Sequence, residues 1–331
     1  MTRIYTQSGL VCRSIIYLVL LFTTLAITAQ ESDTRYFNQV FDDFAMKTVT
    51  YLTKGQEELQ MDIYEPKGDT ELNRPVILYV HGGGFAGGKR DEKRYTDFCE
   101  TMARKGYVTI TMSYTLLRKG KSFGCDFSAE GKVQVFDGTA ADVHAATKYI
   151  IDKASALRVN PEMITLAGSS AGAEAVLHAA YVKDTKPVLG ENFKYAGVIS
   201  MAGAMINDRL ITNETAIPTQ LFHGTCDNLV PYGTAPHHYC EYGTPGFLTL
   251  YGGRSIADRL GAIGEGYYMV TGCNGGHEWN DRPMIVYANL ITDFMYHDVL
   301  QQETRQIHII KSDAPDSSCT DRGSEAACGV K

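Results

Sequence analysis

No stretch of this sequence is dense enough in lysine and arginine to form the basic footprint of a nucleic-acid binder, and the formal net charge is -7, from 31 basic and 38 acidic side chains. Nucleic acid is therefore not an expected partner. The apolar run Ile15–Ile27 spans 13 residues, short of the roughly 20 that a membrane-crossing helix needs, so no permanent span is expected. No cysteine directly follows that run, since Cys12 precedes it, so a lipid anchor is not indicated. Residues 40–300 contain no internal repeat, low-complexity linker or shift of composition. No His or Asp pairs sit at metal-ligand spacing, and neither a metal nor a cofactor is expected. What remains is an ordinary globular composition: 331 residues, 44% hydrophobic and 21% charged.

Arg3 and Arg13 precede the apolar run, and Thr28-Ala29 then the polar Gln30-Glu31-Ser32-Asp33 follow it. This is the pattern of a secretory signal peptide with cleavage near Ala29, so residues 1–29 are read as the signal, 30–311 as the catalytic domain and 312–331 as a flexible tail. Export permits disulfides. Seven cysteines follow the signal: Cys99, Cys125, Cys226, Cys240, Cys273, Cys319 and Cys328. An odd number leaves at least one thiol free or paired between chains, and spacing alone does not fix connectivity. Three pairings come to the fore: Cys319–Cys328 within the tail, Cys226–Cys273, and Cys226–Cys240 as its competitor.

Along the chain, alternating segments Lys47–Leu52 and Leu59–Tyr64 flank Lys54-Gly55 and predict an antiparallel hairpin. The continuous apolar run Pro75–Val80 predicts a central strand that ends in His81-Gly82-Gly83-Gly84. Strands are then expected at Tyr107–Tyr114, Met163–Ala167, Ala196–Met201, Thr219–His223 and Tyr267–Thr271. The helices between them include Tyr95–Lys105, Gly138–Ala156 and a last one near Pro283–Leu300. Strands alternating with helices predict an α/β fold: a mostly parallel central sheet with helices on both faces.

The chemistry concentrates at the strand ends. Met163–Ala167 runs into Gly168-Ser169-Ser170-Ala171-Gly172 and then into the helical Ala173–Ala180. This is the G-x-S-x-G elbow, a turn so tight that the residues two before and two after the nucleophile must lack bulk. A serine hydroxyl needs a base to take its proton, and the base needs a carboxylate to fix its tautomer. In elbow enzymes these follow in the order acid, then histidine, each after a later strand. Asp227 follows Thr219–His223 and His277 follows Tyr267–Thr271, which makes them the candidates over Asp208, His223, His237 and His238. His223 and His178 are read as packed or capping residues, and Glu174 and Glu278 as structural ones. The amides of Gly83, Gly84 and Ala171 are the candidates for holding an oxyanion. No Lys-Ser or Lys-Thr pair follows the glycine run, so it is not read as a phosphate-binding loop. The segments Lys119–Lys132 and Thr234–Tyr251 are read as parts of a substrate rim.

With these motifs in order, residues 45–300 resemble the α/β-hydrolases of the carboxylesterase and lipase group that carry a His-Gly-Gly-Gly motif. The resemblance implies a catalytic triad of Ser170, Asp227 and His277 and hydrolysis of carboxylic esters through an acyl-enzyme. The chain departs from many such proteins at Tyr114-Thr115, where they have Tyr-Arg, and at Ser169, where they often have Asp. These differences bear on the subfamily rather than on the chemistry. The expectation is an exported serine carboxylic ester hydrolase that acts on short or medium acyl esters, including carbohydrate-linked or aryl ones, presented as small molecules or on a polymer. A serine peptidase of the same fold and a catalytically silent binding module are the alternatives.

Overall fold

The computed structural model describes residues 34–312 and Cys328, so residues 1–29, read above as a signal peptide, and most of the segment read as a tail lie outside the described residues. The hairpin forms as β1 (Phe44–Lys54) and β2 (Glu57–Pro66), turning at Gly55-Gln56. It is followed by β3 (Arg74–Val80), β4 (Val108–Met112), β5 (Val159–Ser169), β6 (Gly197–Met201), the two-residue β7 (Ala204–Met205), β8 (Thr219–Gly224), β9 (Thr234–Pro236), β10 (Thr249–Gly252), β11 (Tyr267–Gly272) and β12 (Gln306–Lys311). Nine of these make one sheet in the order β1-β2-β4-β3-β5-β6-β8-β11-β12. β2 is antiparallel to both β1 and β4, and every other pairing is parallel, so β2 alone runs against the rest. Parallel neighbours need long crossovers, and the helices supply them.

All seven residues of β3 are buried, the mark of a strand covered on both faces. Its side chains divide by the period of two: Val76, Leu78 and Val80 enter one core, and Ile77 and Tyr79 the other. The first core is closed by α2 (Ala129–Asp152) and α3 (Ala171–Leu177). The second is closed by α1 (Lys93–Arg104), which buries Tyr95, Phe98, Cys99, Met102 and Ala103 at helical spacing, and by the segment from Met284 to Val299.

The long helix α2 starts at Ala129, nine residues before the predicted Gly138. Ser128 caps it by accepting the Gly131 amide at 3.1 Å, so residues ahead of Gly138 supply the first helical turns. The expected helix Pro283–Leu300 is interrupted: α5 (Arg282–Val286) and α6 (Ala288–Phe294) meet at Tyr287, and a π-helical turn completes the segment, Met295–Leu300. Between β10 and β11, α4 (Gly253–Ala262) packs on the sheet. The edge strand β12 and the small antiparallel sheet β7-β10-β9 were not expected from the sequence. Among the described residues no helix is long and apolar enough to cross a membrane.

Candidate active site

The parallel strands all end on one edge, and the loops leaving β3, β5, β8 and β11 meet there. The turn from β5 to α3 holds Ser170 at φ 51°, ψ −122°, a strained conformation for a residue with a side chain. The flanking glycines are needed for clearance rather than for flexibility. A Cβ on Gly168 would lie 2.4 Å from the Gly172 carbonyl oxygen, and one on Gly172 would lie 2.1 Å from that of Val80. The chain can thus cross β3 closely enough to lift the Ser170 hydroxyl above the sheet edge.

Ser170 Oγ lies 2.8 Å from His277 Nε2, and His277 Nδ1 lies 2.8 Å from Asp227 Oδ2. Asp227 is buried. Its Oδ1 accepts the backbone N–H groups of Leu229 at 2.9 Å and Val230 at 3.0 Å. Burial opposes ionisation of this carboxyl, but the hydrogen bonds and charges of His223 and His277 outweigh it and hold Asp227 well below the usual carboxylate range. The acid bonded to His277 is therefore Asp227 and not Asp208, which sits in a 3-10 turn after β7.

His223 is packed, as expected, but it has a further contact. Its Nε2 lies 3.1 Å from the Val230 carbonyl oxygen and 3.4 Å from Asp227 Oδ2, which places it behind the acid. His178 is buried against Asp137 at 2.9 Å. Glu278 accepts the Gly276 amide at 2.9 Å.

Gly82, Gly83 and Gly84 line the same cleft as Ser170 and Ala171. Gly83 has φ 124°, open only to glycine, and its carbonyl accepts the amides of Ala86 at 3.1 Å and Gly87 at 3.0 Å. The His81 ring stacks on Tyr114 with centroids 4.4 Å apart, and the Tyr114 hydroxyl donates to the His81 carbonyl at 3.1 Å. The Tyr114-Thr115 dipeptide therefore sets the glycine loop through its tyrosine. Ser169 binds on two sides: its hydroxyl contacts the Tyr79 hydroxyl and donates to the Asn280 carbonyl at 2.7 Å, which ties the elbow to β3 and to the turn after His277.

The cleft holds about 340 Å³ and is lined further by Arg94, Tyr95, Phe123, Glu174, Leu229, His237, His238 and Asp281. Both expected rim segments contribute, Lys119–Lys132 through Phe123 and Thr234–Tyr251 through His237 and His238. A disulfide joins the two, Cys125–Cys240. At the mouth, Arg94 is paired with Asp281 and with Glu92. Another cavity, of about 310 Å³, lies at the opposite edge around Met163, Ala196, Thr219 and Gly266, where the parallel strands begin. Ligands of open α/β sheets bind outside the carboxyl ends, which singles out the cleft at Ser170.

None of the three expected disulfide pairings forms. Cys240 is bonded to Cys125 and Cys273 to Cys328, so Cys226 is joined to neither Cys240 nor Cys273, and Cys328 is not joined to Cys319. Cys99 is free and buried, in keeping with the odd count. Sequence reasoning also missed the environment of Glu174. Read from the sequence only as a structural residue at the start of the helix, it is enclosed beside His237 and Lys132 in the wall of the cleft.

Comparison with known proteins agrees with the fold. A family model described as BD-FAE matches residues 61–208, a stretch that contains the glycine loop and Ser170 and ends before Asp227 and His277. Esterase 2 of Thermogutta terrifontis, in its form phosphorylated by paraoxon, superposes with a TM-score of 0.56 at 20% identity, covering 77% of this chain and 94% of that one. The chain has the α/β-hydrolase fold. Among curated sequences, the chain is similar to Gut esterase 1 of Caenorhabditis briggsae, 29% identical over 122 residues, and to Fumonisin B1 esterase of Sphingopyxis macrogoltabida, 30% identical over 119. The matched segments take in 37% and 36% of this chain but only 21% and 22% of those proteins.

Proposed function

We propose that this α/β-hydrolase is a serine carboxylic ester hydrolase in which Ser170 is the nucleophile, His277 the base and Asp227 the residue that orients it. The observation that carries the reading is the unbroken relay from Ser170 Oγ through both ring nitrogens of His277 to a buried carboxylate, with 2.8 Å at each step. His277 takes the Ser170 proton as the oxygen attacks the ester carbonyl. The imidazolium that results is stabilised by Asp227, whose depressed pKa keeps it ionised. The tetrahedral oxyanion is held by the amides of Gly83, Gly84 and Ala171. His277 then protonates the departing alcohol, which leaves an acyl-Ser170, and a water activated by the same histidine releases the acid.

The esterase and lipase names among the relatives support the ester as substrate. We propose short or medium acyl groups, and small-molecule or polymer-linked esters, as the substrates. We propose an exported protein as well: the amino-terminal pattern and the disulfides support this, because such bonds persist in oxidising compartments.

The test is hydrolysis of 4-nitrophenyl esters of increasing chain length by the wild type and Ser170→Ala, with paraoxon as inhibitor. The expected result is turnover that the substitution lowers by at least about a thousandfold and that paraoxon abolishes by phosphorylating Ser170. Folded wild-type protein that neither turns over these esters nor takes up the label would overturn the reading.

A further inference from the structure

Glu174 sits four residues after Ser170 on α3, and its N–H donates to the Ser170 carbonyl at 2.9 Å. It is therefore one helical turn, about 6 Å along the axis, from the nucleophile and on the same face. Its side chain lines the cleft yet is only 3% exposed, and its Oε1 has no hydrogen-bond partner among the described residues. His237 Nε2 comes within 3.3 Å of that oxygen but is too poorly aligned to satisfy it. His237 is itself 1% exposed, lines the same cleft, and leaves Nδ1 without a partner. Buried polar atoms are nearly always paired, so orphans on two neighbouring side chains that line one cleft call for a group that arrives with the substrate.

We propose that Glu174 and His237 form a polar subsite that hydrogen-bonds a hydroxyl group on the ester substrate, a few bonds from the scissile carbonyl. This rests on the ester hydrolase reading above.

A hydroxyl suits the pair because it donates to one atom and accepts from another. An ammonium does not suit it. Burial, reinforced by the Asp227 carboxylate and only partly offset by Lys132, pushes Glu174 well above the usual carboxylate range, so no fixed negative charge awaits a cation. An anion is disfavoured by Asp227 close by. The site is also built to hold its shape. The His237 ring is packed against Phe123 at 5.4 Å and Phe136 at 6.2 Å, the backbone N–H of His237 donates to the Leu248 carbonyl at 2.8 Å, and the Cys125–Cys240 disulfide closes the loop behind it. An alkyl chain in the same place would leave both orphans buried and unpaired.

The experiment uses two isosteric pairs in which a terminal methyl is exchanged for a hydroxyl. For the acyl side the pair is 4-nitrophenyl butyrate and 4-nitrophenyl 3-hydroxypropanoate, and for the alcohol side propyl acetate and 2-hydroxyethyl acetate. Rates are normalised to hydroxide-catalysed hydrolysis of each ester. Wild type is expected to favour the hydroxylated member in one of the pairs by about tenfold or more in kcat/KM, and that pair shows which side of the ester faces Glu174. Glu174→Gln, which keeps an acceptor and a donor, should retain much of the preference; Glu174→Leu and His237→Phe should reduce the ratio towards one.

The inference is overturned if paraoxon labels Ser170 and alkyl esters are hydrolysed but neither pair shows a preference. It is equally overturned if the preference survives in Glu174→Leu or, should that variant not fold, in His237→Phe. If paraoxon leaves Ser170 unlabelled and no ester is hydrolysed, the ester hydrolase reading falls first and takes the subsite with it.

Discussion

Two buried carboxyl groups of one site are driven in opposite directions by their surroundings. Asp227 receives two backbone amides and two histidines and is held below the usual range; Glu174 is enclosed with no aligned donor and is held above it. Such divergence is how a site keeps one carboxylate charged and another neutral at the same pH. It has a consequence for stability. An acid whose folded pKa is raised binds a proton in the native state at pH values where the unfolded chain has lost it, so stability declines as pH rises from the unfolded Glu value, about 4.3, towards the raised native one. The groups facing Glu174 are Asp227, which adds to the effect, Lys132, which opposes it, His237 and the Tyr114 phenol. Glu174→Gln removes the ionisation and should leave the variant more stable than wild type at pH 8 by about 2–4 °C in Tm, corresponding to about 1 kcal/mol. The difference should shrink or reverse at pH 4. Paired melting curves across that range check it, and a gap that does not change with pH would show that Glu174 is not held neutral.

The loop from His237 to Cys240 acts as a brace for the acid loop. His238 and Tyr239 take positive φ angles, 56° and 51°, which turn the His238 amide onto the Leu229 carbonyl at 2.9 Å and the Tyr239 hydroxyl onto the Asp227 carbonyl at 3.0 Å. The disulfide from Cys240 to Cys125 then ties this brace to the segment that carries Phe123. Because the bridged residues are 115 apart, opening the bond frees a long loop in the unfolded chain. The double variant Cys125→Ala, Cys240→Ala should lose about 2–4 kcal/mol of stability and raise KM, since Phe123, His237 and His238 all line the cleft. Thermal denaturation together with Michaelis kinetics tests both parts. This brace also marks where the sequence stops being legible. The strand-to-helix alternation and the strand-end motifs follow from local patterning, so the meeting of Ser170, Asp227 and His277 at one sheet edge could be expected from chain order and loop position. The two rim segments could be read singly, but their bond is a fact of tertiary approach that cysteine spacing does not encode. For the same reason the orphaned atoms of Glu174 and His237 are invisible in the sequence, where Glu174 reads as one more acidic residue near a helix start. Strand β12 is hard to read from the sequence because its Gln-Ile-His-Ile-Ile-Lys alternation is brief and half exposed, as an edge strand permits.

Taken across the whole molecule, the groups at the cleft come from the ends of β3, β5, β8 and β11, and the sheet order brings them together only when β11 is in place beside β8. The base loop after β11 is accordingly the most heavily anchored part of the site. Trp279, the single tryptophan of the chain, is fully buried two residues after His277, where Gly272 and Gly275 make room: a Cβ on either would lie within about 2 Å of the indole. The indole stacks on Tyr287 with centroids 5.5 Å apart. On the outer side the Cys273 amide donates to the Lys311 carbonyl at 2.8 Å, and Cys273 is bonded to Cys328, so the base loop is fastened to the edge strand and to a residue far along the chain. That bond spans 55 residues and closes the carboxyl-terminal part of the fold, β12 included, onto the catalytic edge. Cys273→Ala combined with Cys328→Ala should therefore lower Tm by about 5 °C or more, from about 2–4 kcal/mol of lost constraint. It should also lower kcat more than it raises KM, because the loosened group is His277 and not the cleft wall. The Cys125, Cys240 variant should show the opposite split. Comparing the two double variants on the same ester decides whether the bonds serve separate parts of the site. If both change kcat and KM in the same proportion, the disulfides stabilise the molecule only as a whole, and their placement beside the two halves of the cleft has no kinetic meaning.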